Sequence, residues 1–376
     1  MRRREAVTPP VRVVVALGTR PEAIKMAPIV HELQARPQQF ELTVCATAQH
    51  REMQDQALAV FGINVDYDLD LMTPGQTLDD VVAGVISGVG SVLRSEQPHW
   101  VLVQGDTSSA FAAGLAAFHN GVKVGHVEAG LRTGLRSAPF PEEVNRRMVT
   151  CFADLHFAPT EHAARALIDD GADEVDVLIT GNTVVDALHW VLAQEPTPLS
   201  DELLAVLDHP TILVTGHRRE SFGEGFEQIC SALSRLAQAY PEHRILYPVH
   251  LNPRVRGPVM EHLGALDNVV LADPLGYTHF VQVMTRISFI ITDSGGIQEE
   301  ATALAKPVLV MRDVTERPEA VAAGVTELVG TNADRIVERA TALIEDPTVH
   351  QRARETRNLY GDGKAAHRIA EALLSG

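Results

Sequence analysis

The 376-residue sequence has little of what would mark a secreted, metal-binding or nucleic-acid-binding protein. Only three cysteines are present, Cys45, Cys151 and Cys230, and no two form a Cys-x-x-Cys pair, so neither a disulfide framework nor a thiolate zinc site is expected. The sixteen histidines show no ligand spacing, and we predict no metal. A formal net charge of -17 argues against nucleic acid as a partner, because phosphate backbones bind basic surfaces.

Long hydrophobic runs are also lacking. Residues 1–10 form a basic and then proline-containing tail, and the apolar run Val11–Leu17 that follows is too short for a signal-peptide core or a membrane span. No later stretch reaches membrane-spanning length without charges. Together with the scattered cysteines, these features predict a cytoplasmic protein that does not cross a membrane.

Several cofactor and catalytic motifs are absent. No Gly-x-Gly-x-x-Gly follows the first predicted strand, and Gly88-Val89-Gly90 lies in a helix-like stretch without the third glycine. No Walker A loop, His-Glu-x-x-His or Gly-x-Ser-x-Gly occurs either. We therefore expect no nicotinamide and no other cofactor.

Short β-branched runs, each followed by a turn and a helix-like pattern, occur in two series. The first begins at Val11–Leu17, and the second begins at Thr211–Val214, after the proline-rich segment Glu195–Pro198. Apolar strands alternating with helices indicate parallel sheets covered on both faces. The sequence thus predicts an α/β fold of two Rossmann-like doubly wound domains with a cleft between them. We place the first domain at residues 11–182 and the second at 183–361, with a final helix at about 362–376 packing back on the first.

Ligands of such sheets bind outside the carboxyl ends of the strands, where both series carry polar residues. In the second series, Asp293-Ser294-Gly295-Gly296 opens a helix whose N–H groups could bind a diphosphate, with Glu299 and Glu300 as acceptors for ribose hydroxyls. A tight turn that stabilises any helix is the alternative. His217 and Arg317 follow two further strands and could neutralise a leaving phosphate, although a solvated loop and a surface ion pair explain them as well.

In the first series, strand ends and turns carry two cations and several carboxylates. Any one of these acids is more often a helix cap or an ion-pair partner than a catalyst, but their joint placement at one edge favours an acid/base role for at least one. The candidates are Arg20, Lys25, Asp106, Glu128 and Glu142.

The strings GTRPEAIKMAP (18–28), VGHVEAGLRTG (124–134), PEEVNR (141–146), TGHRRESFG (215–223) and TDSGGIQEEA (292–301) resemble the bacterial non-hydrolysing UDP-N-acetylglucosamine 2-epimerases. The similarity runs in order from about Val11 to the C-terminus. It implies a glycosyltransferase-B architecture with UDP bound by the second domain, a UDP-sugar substrate and a homodimer. Phe140 departs from the family pattern, since many relatives have tryptophan there.

The resemblance also implies roles for individual positions. Diphosphate, ribose and uracil contacts fall on Ser294, Gly295, Gly296, Glu300, Leu275, Phe280 and Arg317. Basic groups around the phosphates fall on Arg20, Lys25 and His217, the last also counted as catalytic, and proton transfer falls on Asp106, Glu128 and Glu142. A second site, at which another UDP-GlcNAc would act as activator in some members, falls on Gln49, His50 and Gln76.

The chemistry of such a reaction narrows the mechanism. The C2 proton of an amino sugar is not next to a carbonyl, so direct removal is very unfavourable, and two routes lower the barrier. One transiently oxidises a neighbouring hydroxyl with NAD, against which the missing dinucleotide fingerprint argues. The other first breaks the C1–O bond, ejects UDP and leaves a 2-acetamidoglucal. Two other classes remain open: a UDP-sugar-dependent glycosyltransferase of the same fold, and a UDP-sugar sensor without turnover. A 2-epimerase for another UDP-N-acetylamino sugar is a further alternative.

Overall fold

A computed structural model describes residues 9–47, 51–73, 75–216, 223–249, 252–346 and 348–376. The chain divides into two compact units. The first contains the residues up to Ala187 together with Gly361–Gly376, and the second contains Leu188–Tyr360. In the part of the chain that the structure describes, no helix is both long enough and apolar enough to cross a membrane.

The first unit is built on a seven-stranded parallel sheet with the order β3-β2-β1-β4-β5-β6-β7. Its strands are short and rich in valine, and Val13, Val14 and Val15 at the centre are at most 1% exposed. The strands are β1 (Val11–Leu17), β2 (Phe40–Ala46), β3 (Tyr67–Asp68), β4 (Trp100–Gln104), β5 (Lys123–Val127), β6 (Leu155–Ala158) and β7 (Val177–Ile179).

Helices connect these strands, and threonine starts four of them. Each of these threonine side chains accepts a hydrogen bond from a backbone N–H in the first helical turn, where the N–H groups have no acceptor within the helix. The four N-cap residues are Thr19, Thr77, Thr107 and Thr160. The helices are α1 (Arg20–Gln34), α2 (Arg51–Val60), α3 (Leu78–Glu96), α4 (Ser108–His119), α5 (Glu142–Thr150), α6 (Glu161–Asp169), the 3₁₀ helix Glu174–Asp176, and α7 (Thr183–Ala193), which runs into the second unit.

The second unit has a six-stranded parallel sheet with the order β10-β9-β8-β11-β12-β13. Its strands are β8 (Thr211–Thr215), β9 (Arg244–Pro248), β10 (Val269–Ala272), β11 (Phe289–Thr292), β12 (Val308–Val310) and β13 (Thr326–Leu328). Its helices are α8 (Asp201–Leu207), α9 (Glu224–Ala239), α10 (Pro253–Leu263), α11 (Tyr277–Arg286), α12 (Gly295–Ala303), α13 (Pro318–Ala322), α14 (Ala333–Glu345) and α15 (Thr348–Glu355).

The last helix, α16 (Ala365–Ser375), belongs to the first unit. Its first turn is capped from a distance, because Asp186 Oδ1 accepts the Ala366 N–H at 2.9 Å. Further along, Glu371 pairs with Arg36 at 2.5 Å, just beyond the end of α1. These contacts attach the end of the chain to the first unit although it follows the whole of the second.

Asp186 gives a pH dependence of stability that can be tested. Burial raises the pKa of its carboxyl from 3.8 to about 6. The folded state therefore holds this proton more tightly than the unfolded state, and the stability it contributes is present below pH 3.8 and is lost as the pH rises through about 6. As the pH rises from about 4 to about 8, we expect the free energy of unfolding of Asp186→Asn to increase relative to that of wild type by on the order of 2 kcal/mol, because the amide carries no charge. Thermal unfolding across that range measures it, and a difference independent of pH would contradict it.

Candidate active site

Glu128 is the centre of a buried polar network at the carboxyl end of the first sheet. It follows β5 with a positive φ of 60°, and Lys25 Nζ donates to its two carboxylate oxygens at 2.6 and 2.5 Å. Asn182 Nδ2 donates to Oε1 at 3.2 Å, and the Gln104 amide donates to Oε2. The side chains of Lys25 and Glu128 are only 10% and 3% exposed, so their attraction is weakly screened.

Asp106 lies at the end of the neighbouring strand β4 and is held by Arg146 of α5. Arg146 Nε donates to Asp106 Oδ2 at 3.0 Å, and Nη1 donates to Glu143 Oε2 at 3.2 Å. Glu143 in turn accepts the N–H groups of Thr133 and Gly134, both at 3.1 Å. Arg146 and Glu143 are buried, whereas the Asp106 side chain remains 25% exposed. Asp106 is thus fixed in direction and still accessible to a ligand.

Glu142 is the first residue of α5 and is half-buried. A carboxylate is favoured at a helix N-terminus, where the peptide dipoles leave partial positive charge. Its neighbour Glu143 is 1% exposed and is used to hold the loop before the helix. Of the two adjacent acids, Glu142 is the less buried residue, although its Oε2 is itself buried.

The turn between β1 and α1 packs closely against its surroundings. A Cβ added at Gly18 would lie 2.6 Å from Ser109 Cβ and 2.9 Å from Thr47 Oγ1, so only glycine fits. Arg20 follows as the first residue of α1 and is half-buried. This packing brings the turn that carries Arg20 against the start of α4, which directly follows Asp106.

In the second unit, β11 leads into α12 through the predicted diphosphate turn. Ser294 is the N-cap residue in extended conformation, and its side chain makes no capping hydrogen bond within the described structure. Thr292 Oγ1 accepts the Ser294 N–H at 3.0 Å and lies 2.6 Å from Thr215 Oγ1. Apart from its chain neighbours and the backbone of its own helix, no described atom lies within 4 Å of the position a Cβ would take at Gly296. The start of α12 therefore offers backbone N–H groups beside open space, as anion binding requires.

Arg317 lies against this turn. Its Nε donates to Glu299 Oε1 at 2.8 Å, and Nη1 contacts Glu316 Oε2 at 3.5 Å. A Cβ at Gly295 would be 2.6 Å from Arg317 Nη1, so Gly295 makes room for the guanidinium. Since Arg317 is only 5% exposed, its charge is fixed close to the N-terminus of α12.

The predicted nucleoside contacts lie on α11, on α12 and, for Leu275, in the loop just before α11. Tyr277 Oη donates to Glu300 Oε1 at 2.8 Å, and this hydrogen bond orients the Glu300 carboxylate. Leu275 and Phe280 are both half-buried, and the Phe280 N–H donates to Gly276 O at 2.9 Å within the first turn of α11.

The predicted residues therefore fall into local groups within each unit. Lys25 contacts Glu128 directly, and Gly295 packs against Arg317. Gln76 is in the first unit, where its side chain donates to Leu71 O at 2.9 Å. His217, Gln49 and His50 lie outside the described residues. Among the described residues, no group of three or more His, Cys, Asp or Glu side chains could hold a metal ion.

Several residues of these networks were not singled out from the sequence. Arg146 and Glu143 stand inside the motifs quoted above, but a motif does not show which side chains contact one another. Gln104 ends β4 and Asn182 directly precedes α7, and both amides contact Glu128. Their positions at strand and helix ends were the available signal.

Two doubly wound α/β units, with carboxylates at the strand ends of one and an anion-binding helix start in the other, define a protein of the nucleotide-sugar enzyme class. Residues 31–374 match the family model described as UDP-N-acetylglucosamine 2-epimerase. The UDP-N-acetylglucosamine 2-epimerase of Escherichia coli K12 is 52% identical over 371 residues, which cover 96% of this chain and 98% of that protein. The chain belongs to the UDP-N-acetylglucosamine 2-epimerase family.

Solved structures agree on the fold. The UDP-GlcNAc 2-epimerase of Neisseria meningitidis, bound to UDP-GlcNAc, superposes with a TM-score of 0.91 and 44% identity, covering 97% of this chain and 100% of that chain. The glycosyltransferase of kitacinnamycin gives a TM-score of 0.62 at 14% identity, covering 97% and 99%, and shows a likeness of fold alone. The glycosyltransferase-B-like fold class expected from the sequence is confirmed.

Proposed function

We propose that this protein interconverts UDP-N-acetylglucosamine and UDP-N-acetylmannosamine by inverting C2 of the sugar. The observation that carries the proposal is the similarity, over nearly the whole chain, to the UDP-GlcNAc 2-epimerase of Neisseria meningitidis bound to UDP-GlcNAc. The local geometry of each unit supports it, since one offers an anion-binding helix start and the other a set of oriented carboxylates.

The reaction begins with cleavage of the C1–O bond, and UDP leaves with the bonding electrons. A carboxylate removes the C2 proton, and the electrons of the C2–H bond form the C1–C2 double bond of 2-acetamidoglucal. A proton is then delivered to the opposite face of C2 while a UDP oxygen adds back to C1. Atoms and charge balance without an oxidant, so the scheme needs no cofactor.

The second unit is assigned to the nucleotide. In this proposal the Ser294 side chain, the N–H groups of Gly295 and Gly296 and the Arg317 guanidinium stabilise the departing diphosphate, where preorganised donors act most strongly. Glu300, oriented by Tyr277, accepts hydrogen bonds from the ribose hydroxyls, while Leu275 and Phe280 contact the nucleoside. His217 and Arg20 supply further positive charge to the phosphates.

The first unit is assigned to proton transfer, with Asp106, Glu128 and Glu142 as the acids. The three differ in environment: Glu128 is buried against Lys25, whereas Asp106 and Glu142 keep contact with solvent. In this proposal, one acid removes the C2 proton from one face of the sugar and another delivers a proton to the opposite face.

The finer expectations from the resemblance complete the proposal. The protein acts in the cytoplasm as a homodimer that supplies an N-acetylmannosamine donor for cell-envelope polysaccharide. A second UDP-GlcNAc, bound near Gln49, His50 and Gln76, activates it. Activation would appear as a sigmoidal dependence of rate on UDP-GlcNAc concentration.

The test is to incubate the purified protein with UDP-GlcNAc alone in D2O and to follow the sugar by proton NMR. The expected result is UDP-ManNAc carrying deuterium at C2, without any acceptor. Product without label would rule out elimination. Turnover that appears only with an added acceptor would support the glycosyltransferase, and binding without turnover would support the sensor.

A further inference from the structure

Glu22 is a carboxylate to which the mechanism above gives no part. It lies in the first turn of α1, between Arg20 and Lys25, and is 1% exposed. Its Oε2 accepts the Gly18 N–H at 3.2 Å, and its Oε1 accepts the Thr107 hydroxyl at 2.9 Å. The first bond lies within the turn that carries Arg20, and the second reaches the turn that carries Asp106, 85 positions away in the chain.

Helix capping explains only half of this arrangement. Thr19 is the N-cap of α1 and Glu22 is the third helical residue, so an acid that reaches back to the turn before the helix is expected. The hydroxyl of Thr107 belongs to another helix, α4, for which it is itself the N-cap, accepting the Ala110 N–H at 2.9 Å. By accepting a hydrogen bond from Thr107, Glu22 fixes the direction of that hydroxyl and the geometry of Thr107, the residue that follows Asp106.

Resting on the proposed function, we infer that Glu22 is a positioning residue: one buried carboxylate holds the turn of Arg20 and the turn of Asp106 in the register that turnover requires. A phosphate-binding cation and a proton-transfer acid must be placed together within a fraction of an ångström, because misplacement by about 1 Å can lower a rate a hundredfold. The close packing of Gly18 against Ser109 shows the same two turns in direct contact.

The physical environment argues that Glu22 is not present for stability alone. Burial raises the pKa of its carboxyl from 4.5 to about 7, which means that the ionised form is disfavoured inside the fold. Above about pH 7 the protein therefore keeps a charge there at the expense of stability. Sites that sacrifice stability in this way are typical of functional machinery.

The experiment compares Glu22→Gln with Asp80→Asn. Asp80 is the matched control, because it is also the third residue of a helix in the first unit and accepts the N–H of a threonine N-cap, Thr77, at 2.9 Å. At about pH 8, we expect Glu22→Gln to unfold no earlier than wild type and to lose at least about tenfold in kcat, with KM changed by less than about threefold. Asp80→Asn retains kcat and unfolds slightly earlier.

Wild type assayed in parallel separates the two proposals. If wild type does not epimerise UDP-GlcNAc, the proposed function fails; if it does and Glu22→Gln keeps a kcat within about twofold, the positioning role of Glu22 is overturned. If Glu22→Gln does not fold, the same kcat criterion is applied to Thr107→Val, which removes the hydrogen bond between Thr107 and Glu22 by deleting its donor. Loss of kcat per folded molecule in that variant supports the inference, and unchanged kcat overturns it.

Discussion

Replacing Asp106 by asparagine is expected to lower kcat by about a thousandfold and to leave the affinity for UDP within about threefold of wild type. The amide has the shape of the carboxylate, and its oxygen can still accept a hydrogen bond from Arg146. In the wild-type structure, Arg146 Nε donates to Asp106 Oδ2 at 3.0 Å. It cannot take or give a proton at C2. Apart from Arg20, which this variant leaves unchanged, the nucleotide contacts are assigned to the second unit and should persist.

Asp170→Asn is the matched control for this variant. Asp170 is in the same unit, its side chain is likewise 25% exposed, and it also accepts from an arginine, Arg132 Nε, at 2.8 Å. The measurements are initial rates with UDP-GlcNAc, deuterium incorporation at C2, and calorimetric binding of UDP. An Asp106→Asn variant that retains kcat within about tenfold would assign proton transfer to other groups.

The doubly wound fold could be predicted because its signal is local. Strands such as β1 and β8 are buried on both faces, and therefore appear as continuous apolar runs that can be recognised one by one. The rule that ligands bind at the carboxyl ends of such strands then directs attention to the correct turns, including Ser294–Gly296. Local pattern and topology suffice for that much.

The side-chain pairings could not be predicted, because they join residues far apart in sequence. Lys25 and Glu128 are 103 positions apart, and Asp106 and Arg146 are 40 apart. The resemblance places Lys25 among the cations around the phosphates, and the structure adds that its ammonium group contacts Glu128. Glu143 shows the same limit, since nothing in Pro141-Glu142-Glu143 indicates which acid is buried.

The pairing of Lys25 with Glu128 leads to the second large expected effect. Lys25→Met should lower the free energy of unfolding by about 3–5 kcal/mol, because it removes the cation that compensates a carboxylate of which only 3% is exposed. Lys123→Met is the control in the same unit. Lys123 is exposed and donates to Gly376 O, so its loss should change stability by less than about 1 kcal/mol.

A double variant separates stability from catalysis. Adding Glu128→Gln to Lys25→Met removes the second charge as well, while the single amide oxygen can still accept from either Asn182 or Gln104, which donate to different oxygens of the carboxylate. Stability should therefore return to within about 1–2 kcal/mol of wild type, since replacing both members of a buried ion pair is often close to neutral. Activity should not return, because neither the cation nor a titratable group is restored.

Urea unfolding and epimerisation rates of the two single variants and the double variant complete the cycle. A double variant as active as wild type would show that the pair serves the fold alone, and one no more stable than Lys25→Met would show that the loss came from packing of the lysine stem.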